Sequence, residues 1–366
     1  MPREDFRDTS DNQVLQTLGL TYPILQGPFG SGHSSAELAA AVSNAGGLGA
    51  YGAQHLSGEE ILQLAADIRG RTDRPFNLNL WVPRAKEWGE PSSEAREQAY
   101  LQQLAPFYQE SSLPLPTQAE NTLHGYREQI EAVLDARPAV FSFVFGIPEA
   151  EILKRCAERG IKTLGAATTV AEAVALERAG VDMVIASGLE AGGHRPAFLT
   201  EPEPRSLLTT FALLPQVRDA VSIPVIAAGG IADNRGVRAA MALGADAVQV
   251  GTAFLACEES GASGLHKQLL RKKDGVDTVM TRVVSGRMAR YIRNRLTEAS
   301  AGWADPALPY PLQMSVMRPL SRASIASNNP DFATLAAGQV TGLSRHVHAA
   351  ELMAALVGEP VAGPGT

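Results

Sequence analysis

The chain has 366 residues, 45% of them hydrophobic and 19% charged, with a formal net charge of −7. It is globular in composition and long enough to bury a large core in one large domain or two ordinary ones. The negative balance, without a dense Lys/Arg cluster, argues against nucleic-acid binding, and no run nears the roughly 18 apolar residues of a membrane helix. Cys156 and Cys257 are the two cysteines and fit neither a metal spacing nor a disulfide framework. The N-terminus is polar and acidic with no apolar targeting core, so the expectation is a soluble protein of a reducing cytoplasm.

A repeating order runs through the first two thirds of the chain. YPILQ (22–26) reads as the first strand and SSAELAAAVSNAGG (34–47) as its helix; LGAYG (48–52) and EEILQLAADIRG (59–70) form the second unit, and FNLNLW (76–81) is the third strand. A proline-rich stretch from Val82 to about Glu120 reads as an insertion, of a length that is usually functional or partly helical. TLHGYREQIEAVLDAR (122–137) resumes the helical pattern, AVFSFVFG (139–146) is the fourth strand, and EAEILKRCAERG (149–160) its helix. IKTLGAATT (161–169), DMVIASG (182–188), IPVIAAGG (223–230) and AVQVGTAF (247–254) are strands five to eight, with helices at 170–180, 205–221 and 233–246 between them.

Continuous apolar strands alternating with helices predict a parallel sheet buried on both faces. Eight such units point to an α/β fold of the closed (β/α)8 TIM-barrel type, spanning residues 1–258. An open doubly wound sheet would carry its phosphate glycines after the first strand, whereas here they follow strands six, seven and eight. After about Glu258 the order changes. LHKQLLRKKDG (265–275), TRVVSGRMARYIRNRLTEAS (281–300) and ELMAALVGEP (351–360) look helical, and 304–313 is a proline-rich turn region. Residues 259–366 are therefore expected to pack on the barrel mouth as a small helical lobe without a second sheet.

Barrel active sites lie at the C-terminal strand ends, and the loops after the last two strands often hold phosphate. Gly229-Gly230 and Gly251-Thr252 stand at those positions, where glycine lets backbone N–H groups approach an oxyanion. SGLEAGGHRP (187–196) leaves the sixth strand. Gly192-Gly193 would let the chain pass a flat ligand closely, and His194, titrating near neutrality, could exchange a proton at the rim.

EAGGHR, AAGGI and QVGTAF after successive strands, with PILQGPFG and FNLNLW upstream, resemble the nitronate monooxygenase family. FMN-dependent enoyl reductases are similar at the same three strand ends. The resemblance runs from about Leu20 to Ala256, and more loosely through SGRMAR, PYPLQ and AAGQ in the tail. It implies FMN across the barrel mouth, with Gln26, Gly27, Asn79, Ser187, Gly192 and Gly193 beside the ring system. By the same resemblance Gly229, Gly230, Gln249, Val250, Gly251 and Thr252 hold the phosphate, and His194 is the catalytic acid or base. The implied reaction is oxidation of an alkyl nitronate, such as propionate 3-nitronate, by dioxygen. An NAD(P)H-dependent reductase of enoyl thioesters or quinones is the alternative, and a silent flavin-binding subunit a third. Phe29, Ser187 and Pro196 depart from the family pattern and suggest a divergent subgroup.

Other residues read less specifically. Arg195 is balanced between a substrate carboxylate and solvent, and His33 is a loop residue before the Ser34/Ser35 helix cap. Trp81 and Trp88 are packing residues that could wall the pocket. Arg287 and Arg290, three apart, read as a solvated or salt-bridged helix face. His346 and His348 lack the further ligands of a metal site. No cysteine stands in the loop after the sixth strand, which sets aside an IMP dehydrogenase-like barrel. No metal, nucleic-acid or membrane partner is expected, and the oligomeric state stays open, a homodimer among the options.

Overall fold

The computed structural model describes residues 12–84, 93–121, 123–201, 207–303 and 307–360. In chain order its strands are β1 (Ile24–Gln26), β2 (Gly49–Gly52), β3 (Phe76–Trp81), β4 (Val140–Val144), β5 (Lys162–Ala167), β6 (Met183–Ser187), β7 (Gly193–His194), β8 (Val225–Ala228), β9 (Ala247–Val250), β10 (Thr278–Thr281) and β11 (Ala289–Ile292). Eight of them form one parallel sheet in the order β1-β9-β8-β6-β5-β4-β3-β2. A Leu25–Leu48 bridge brings the two ends of that sheet together, giving the TIM barrel that the alternating order predicts. Gln26 completes this seam. Its Nε2 donates to the Ala50 carbonyl at 2.8 Å, and its Oε1 accepts from the Ala50 N–H at 3.1 Å. A side-chain amide here does the work of ladder hydrogen bonds.

Strand alternation decides which side chains reach the interior. In β3, Leu78 and Leu80 pack outward in the helix-covered core, while Asn77 and Asn79 turn inward and bond Ser142 of β4. The lower interior is apolar: Leu25, Leu164, Met183 and Ile226 cluster with Val14, Leu15 and Leu18 from the short helix Gln13–Leu18. That helix stoppers the N-terminal end of the barrel, and Asn12 ties it to the Asp246 carbonyl before β9 at 2.7 Å. Helix starts follow the caps written in the sequence. Ser35 accepts from Leu38 N–H, and Asp233 accepts from Arg235 and Gly236.

The tail corrects one expectation. Residues 281–300 are not one helix: β11 lies inside them, and helix is confined to Arg295–Ser300. β10 and β11 pair antiparallel, and β11 then pairs with β7, so a second, three-stranded sheet exists after all. The stretch ARYI alternates, with its neighbours turning back on it, so a strand wins over the helical reading. The insertion after β3 contains the helix Glu94–Glu110. Tyr100, Leu101, Leu104 and Tyr108 of that helix pack with Val283, Leu296, Val316 and Leu320 of the tail. Tyr108 Oη donates to the Val316 carbonyl at 2.6 Å and Gln313 Nε2 donates to Tyr100 Oη at 2.7 Å, so insertion and tail share one buried cluster. Among the described residues no helix is long and apolar enough to cross a membrane.

Candidate active site

A cavity of about 560 Å³ lies over the C-terminal ends of the barrel strands. That is within the usual range for a small-molecule site. The expected residues Gly27, Asn79, Ser187, Gly192, Gly193, His194, Gly229, Gly230, Gln249, Gly251 and Thr252 all line it. Gln26 and Val250 do not. Gln26 is fully buried in the β1–β2 seam, and Val250 faces the outer core, its carbonyl accepting from Gly27 N–H at 2.8 Å. Trp88 lies outside the described residues.

The glycines have distinct reasons. Gly229 and Gly230 hold φ of +107° and +74°, a region that residues with a Cβ avoid. Gly192 has no such φ but has a neighbour: a Cβ there would stand 2.5 Å from Gly338 N and 2.6 Å from the Ala337 carbonyl carbon. The loop after β6 is thus pressed against the tail segment 336–339. A further bond holds the two together: Gln339 N–H donates to the Glu190 carbonyl at 3.0 Å. Gly338 N–H, next to it, donates to Thr252 Oγ1 after β9 at 2.8 Å, so the tail segment bridges the two loops.

His194 sits in β7, paired with Ala289 of β11. Its Nε2 is hydrogen-bonded to Ser285 Oγ at 2.7 Å. Trp81, Phe145 and Tyr291 surround the ring at centroid distances of 4.7, 6.0 and 6.4 Å. The surface it retains faces the cavity. Burial, followed by the charges of Arg287, His55 and Arg84, pushes its pKa down to about 3. The imidazole is therefore neutral over the physiological range.

The arginines near this loop depart from their expected roles. Arg195 is buried and neither binds at the cavity nor meets solvent. Its guanidinium donates to the carbonyls of Ser187 at 2.5 Å and Thr168 at 3.4 Å, and burial brings its pKa down to about 10. Arg287 and Arg290 are 5% and 4% exposed and flank or enter a strand, so the solvated helix face is overturned. Arg290 donates to the Leu189 carbonyl at 2.8 and 3.1 Å, fixing the β6 exit loop from the tail side. Arg287 stacks over Tyr310 at 3.9 Å and Phe145 at 4.2 Å.

Several cavity residues were not singled out in the sequence. Gln54 and His55 follow β2, where the strand-end rule points equally well. Gln54 Oε1, His55 Nε2 and Gln249 Oε1 are buried atoms without a hydrogen-bond partner among the described residues. Burial first, then Arg318 and His124, lower His55 to about 4. His33 does line the cavity while its Nδ1 bonds the Gly30 carbonyl at 2.9 Å. Its ring meets the fully buried His266, 5.7 Å away, which no sequence signal marked. Cys156 and Cys257 are buried free thiols, and no metal-binding cluster exists among the described residues.

Comparison with known proteins gives a consistent picture. The family model described as nitronate monooxygenase matches residues 12–359. The nitronate monooxygenase of Pseudomonas aeruginosa is 41% identical over 353 residues, covering 95% of this chain and 99% of that protein. Nitroalkane oxidase from Streptomyces ansochromogenes superposes with a TM-score of 0.85 at 36% identity, covering 94% of this chain and 97% of that one. FabK from Thermotoga maritima superposes with a TM-score of 0.73 at 28% identity, covering 95% of each chain.

Proposed function

The chain belongs to the nitronate monooxygenase family of oxidoreductases, and from that premise we propose that it binds FMN across the barrel mouth and oxidises alkyl nitronates, propionate 3-nitronate among them, with dioxygen. The observation that carries this reading is that one cavity joins the two glycine loops after β8 and β9 to a neutral histidine held by the β6 exit.

The wall chemistry fits a flavin. A Cβ on Gly230 would meet nothing nearer than Glu190 at 3.6 Å, and one on Gly251 nothing nearer than Phe29 at 3.7 Å, so both loops present bare backbone to the cavity. The unpartnered amide oxygens of Gln54 and Gln249 suit the ring N–H of an isoalloxazine. Gly229, Gly230, Gly251 and Thr252 would hold the phosphate, while Asn79, Gln249, Gly192 and Gly193 would border the ring. FMN bound there supplies the acceptor for the substrate's electrons and the route to dioxygen.

The chain's own groups do the rest. Trp81, Phe145 and Tyr291 pack around His194 and keep its ring oriented, with Ser285 fixing Nε2 and the remaining face turned to the cavity. A neutral imidazole can accept the α-proton of a nitroalkane and leave the nitronate beside it as counter-charge. A preformed nitronate needs no such transfer.

The test is the visible spectrum of the purified protein, followed by separate anaerobic additions of propionate 3-nitronate and NADPH. Flavin bands bleached by the nitronate and restored by dioxygen are expected. Bleaching by NADPH alone would move the protein to the reductase reading. No flavin bands after FMN is supplied would refute the cofactor.

A further inference from the structure

Three groups meet at the Ser285 hydroxyl. His194 Nε2 lies 2.7 Å from Oγ, the Arg287 N–H donates to Oγ at 3.3 Å, and the Arg287 carbonyl stands 3.4 Å away. A hydroxyl has one proton to give and two lone pairs to offer. The Arg287 N–H can only donate and the Arg287 carbonyl can only accept, so between them they take one lone pair and the proton. The place left for His194 is the second lone pair, and an Nε2–H fills it. The reverse assignment, with Ser285 donating to Nε2, takes the proton from the Arg287 carbonyl and leaves a lone pair idle on a hydroxyl whose residue is 1% exposed.

The turn that carries Ser285 is itself held firmly. The N–H groups of Ser285 and Gly286 both donate to the Arg282 carbonyl, at 3.3 and 2.8 Å. Gly286 has a φ of +85° and leaves no room for a Cβ against the Leu308 carbonyl. Gln313, fully buried, donates through Nε2 to the Val283 carbonyl and to Tyr100 Oη, while its Oε1 accepts from the Leu308 N–H at 2.8 Å. The Ser285 hydroxyl is thus offered to the ring from a fixed place. The other ring nitrogen differs. Nδ1 of His194 makes no hydrogen bond among the described residues and is not sealed inside the protein, so it is the nitrogen that opens on the cavity.

We propose that Ser285 is a positioning residue that fixes the tautomer of His194: its hydroxyl accepts the Nε2–H, so that Nδ1 carries the lone pair facing the cavity and is the atom that takes the α-proton of a nitroalkane. The source of that proton rests on the function proposed above, whereas the tautomer belongs to the resting protein. In the step itself the C–H proton passes to Nδ1 and its electron pair stays on the substrate as the nitronate. The ring becomes an imidazolium whose Nε2–H remains on Ser285 Oγ, so no proton moves through the serine. The opposite tautomer would aim an N–H at the substrate carbon and could accept nothing.

The test uses the FMN-loaded full chain labelled with nitrogen-15 histidine, with the His194 signals assigned by their loss in His194→Asn. Long-range nitrogen–proton correlation spectra near neutral pH tell the two ring nitrogens apart, because Nε2 couples to both carbon-bound ring protons and Nδ1 strongly to one. The expected result is a protonated, pyrrole-type Nε2 and an unprotonated, pyridine-type Nδ1. A pyridine-type Nε2, or two pyrrole-type nitrogens, overturns the proposal. Ser285→Ala should give a mixture of tautomers, and a spectrum that stays wholly Nε2–H removes Ser285 from the role. The second readout is the ratio of kcat/KM for nitroethane to that for ethyl nitronate, since only the first has a proton to lose. It should fall roughly 3- to 15-fold in Ser285→Ala, the loss of one hydrogen bond, and an equal loss with both substrates overturns the positioning role. Ser285→Thr keeps the hydroxyl and should return both readouts toward wild type; an FMN-replete Ser285→Thr that matches Ser285→Ala in both overturns the hydroxyl's part. If neither substrate is oxidised, the functional reading fails, and the wild-type spectrum still decides the tautomer.

Discussion

Replacing His194 by Asn tests whether a neutral imidazole moves the substrate's proton. Burial, with Arg287 next, takes the group from 6.5 to about 3. At 1.36 kcal/mol per unit, charging the ring in the protein alone costs on the order of 5 kcal/mol. An anion placed beside the ring returns part of that cost. The histidine is thus a poor base by itself and a useful one only as negative charge develops next to it. A neutral nitroalkane has to lose its α-proton, so His194→Asn should lower kcat/KM for nitroethane by roughly 10²- to 10⁴-fold. Ethyl nitronate has already lost that proton, and the same variant should slow it by less than about 10-fold. The assay is anaerobic flavin bleaching in a stopped-flow instrument, with both substrates, from about pH 5 to 8. The wild-type profile with ethyl nitronate should show no His194 inflection near pH 6.5. Equal losses with the two substrates would refute the proton-transfer role. A wild-type inflection between about pH 6 and 7 that vanishes in the variant would instead refute the lowered pKa of His194.

Acid should destabilise the fold through the same physics. Burial lowers His266 to about 3 and His55 to about 4, so between those values and 6.5 the unfolded chain binds protons that the native chain does not. Stability then rises with pH across that window, and Tm should fall steadily from about pH 7 to 5 and less steeply in His266→Gln; a Tm that is flat with pH would refute it. Gly192→Ala drives a Cβ to 2.5 Å from Gly338 N. Backbone must move, at roughly 1–3 kcal/mol, and amide exchange at Gly338 and Gln339 should quicken; unchanged exchange would show that the contact is soft. Gly230→Val should cost about 1–2 kcal/mol because its φ is +74°. It should also lower FMN content, whereas full FMN retention would remove this loop from the phosphate site.

What the sequence made legible follows from periodicity. A buried parallel strand is a short apolar run whatever its partners, so the eight barrel strands could be placed within a few residues of their observed bounds. The strand-end rule then located His194 and both glycine pairs, because barrel geometry converts position along the chain into position at the mouth. Gln26, which the family resemblance put beside the ring system, does not reach the cavity. It ends a strand, but β1 and β2 are joined by a single bridge, and its amide is used up in closing that gap. Arg290 failed differently. Its three-residue spacing from Arg287 mimics a helix, and only the pairing of β11 with β7 shows that it is buried beneath the Leu189 carbonyl. No local pattern in the chain encodes that long-range pairing.

That pairing also changes how the tail should be regarded. His194 stands in a strand whose other partner, β11, belongs to the tail sheet. Ser285, which holds its Nε2, and Tyr291, which walls its ring, come from the tail as well. The barrel by itself would present His194 on a loop open to water, where little would hold its pKa away from the ordinary value. With the tail in place the imidazole is largely enclosed and neutral, and the helix Leu312–Ala326 faces it across one cavity. Under the proposed function the barrel loops meet the cofactor and the tail meets the substrate. Substitutions at Met314 and Met317, which reach the cavity from the tail helix Leu312–Ala326, should therefore redirect substrate choice with little effect on FMN content, whereas substitutions at Gly229, Gly230 or Gly251 should do the reverse. Comparing FMN content with the kcat/KM ratio for a short and a longer alkyl nitronate in the two groups of variants separates those roles, and loss of FMN from the tail-helix variants would contradict this division.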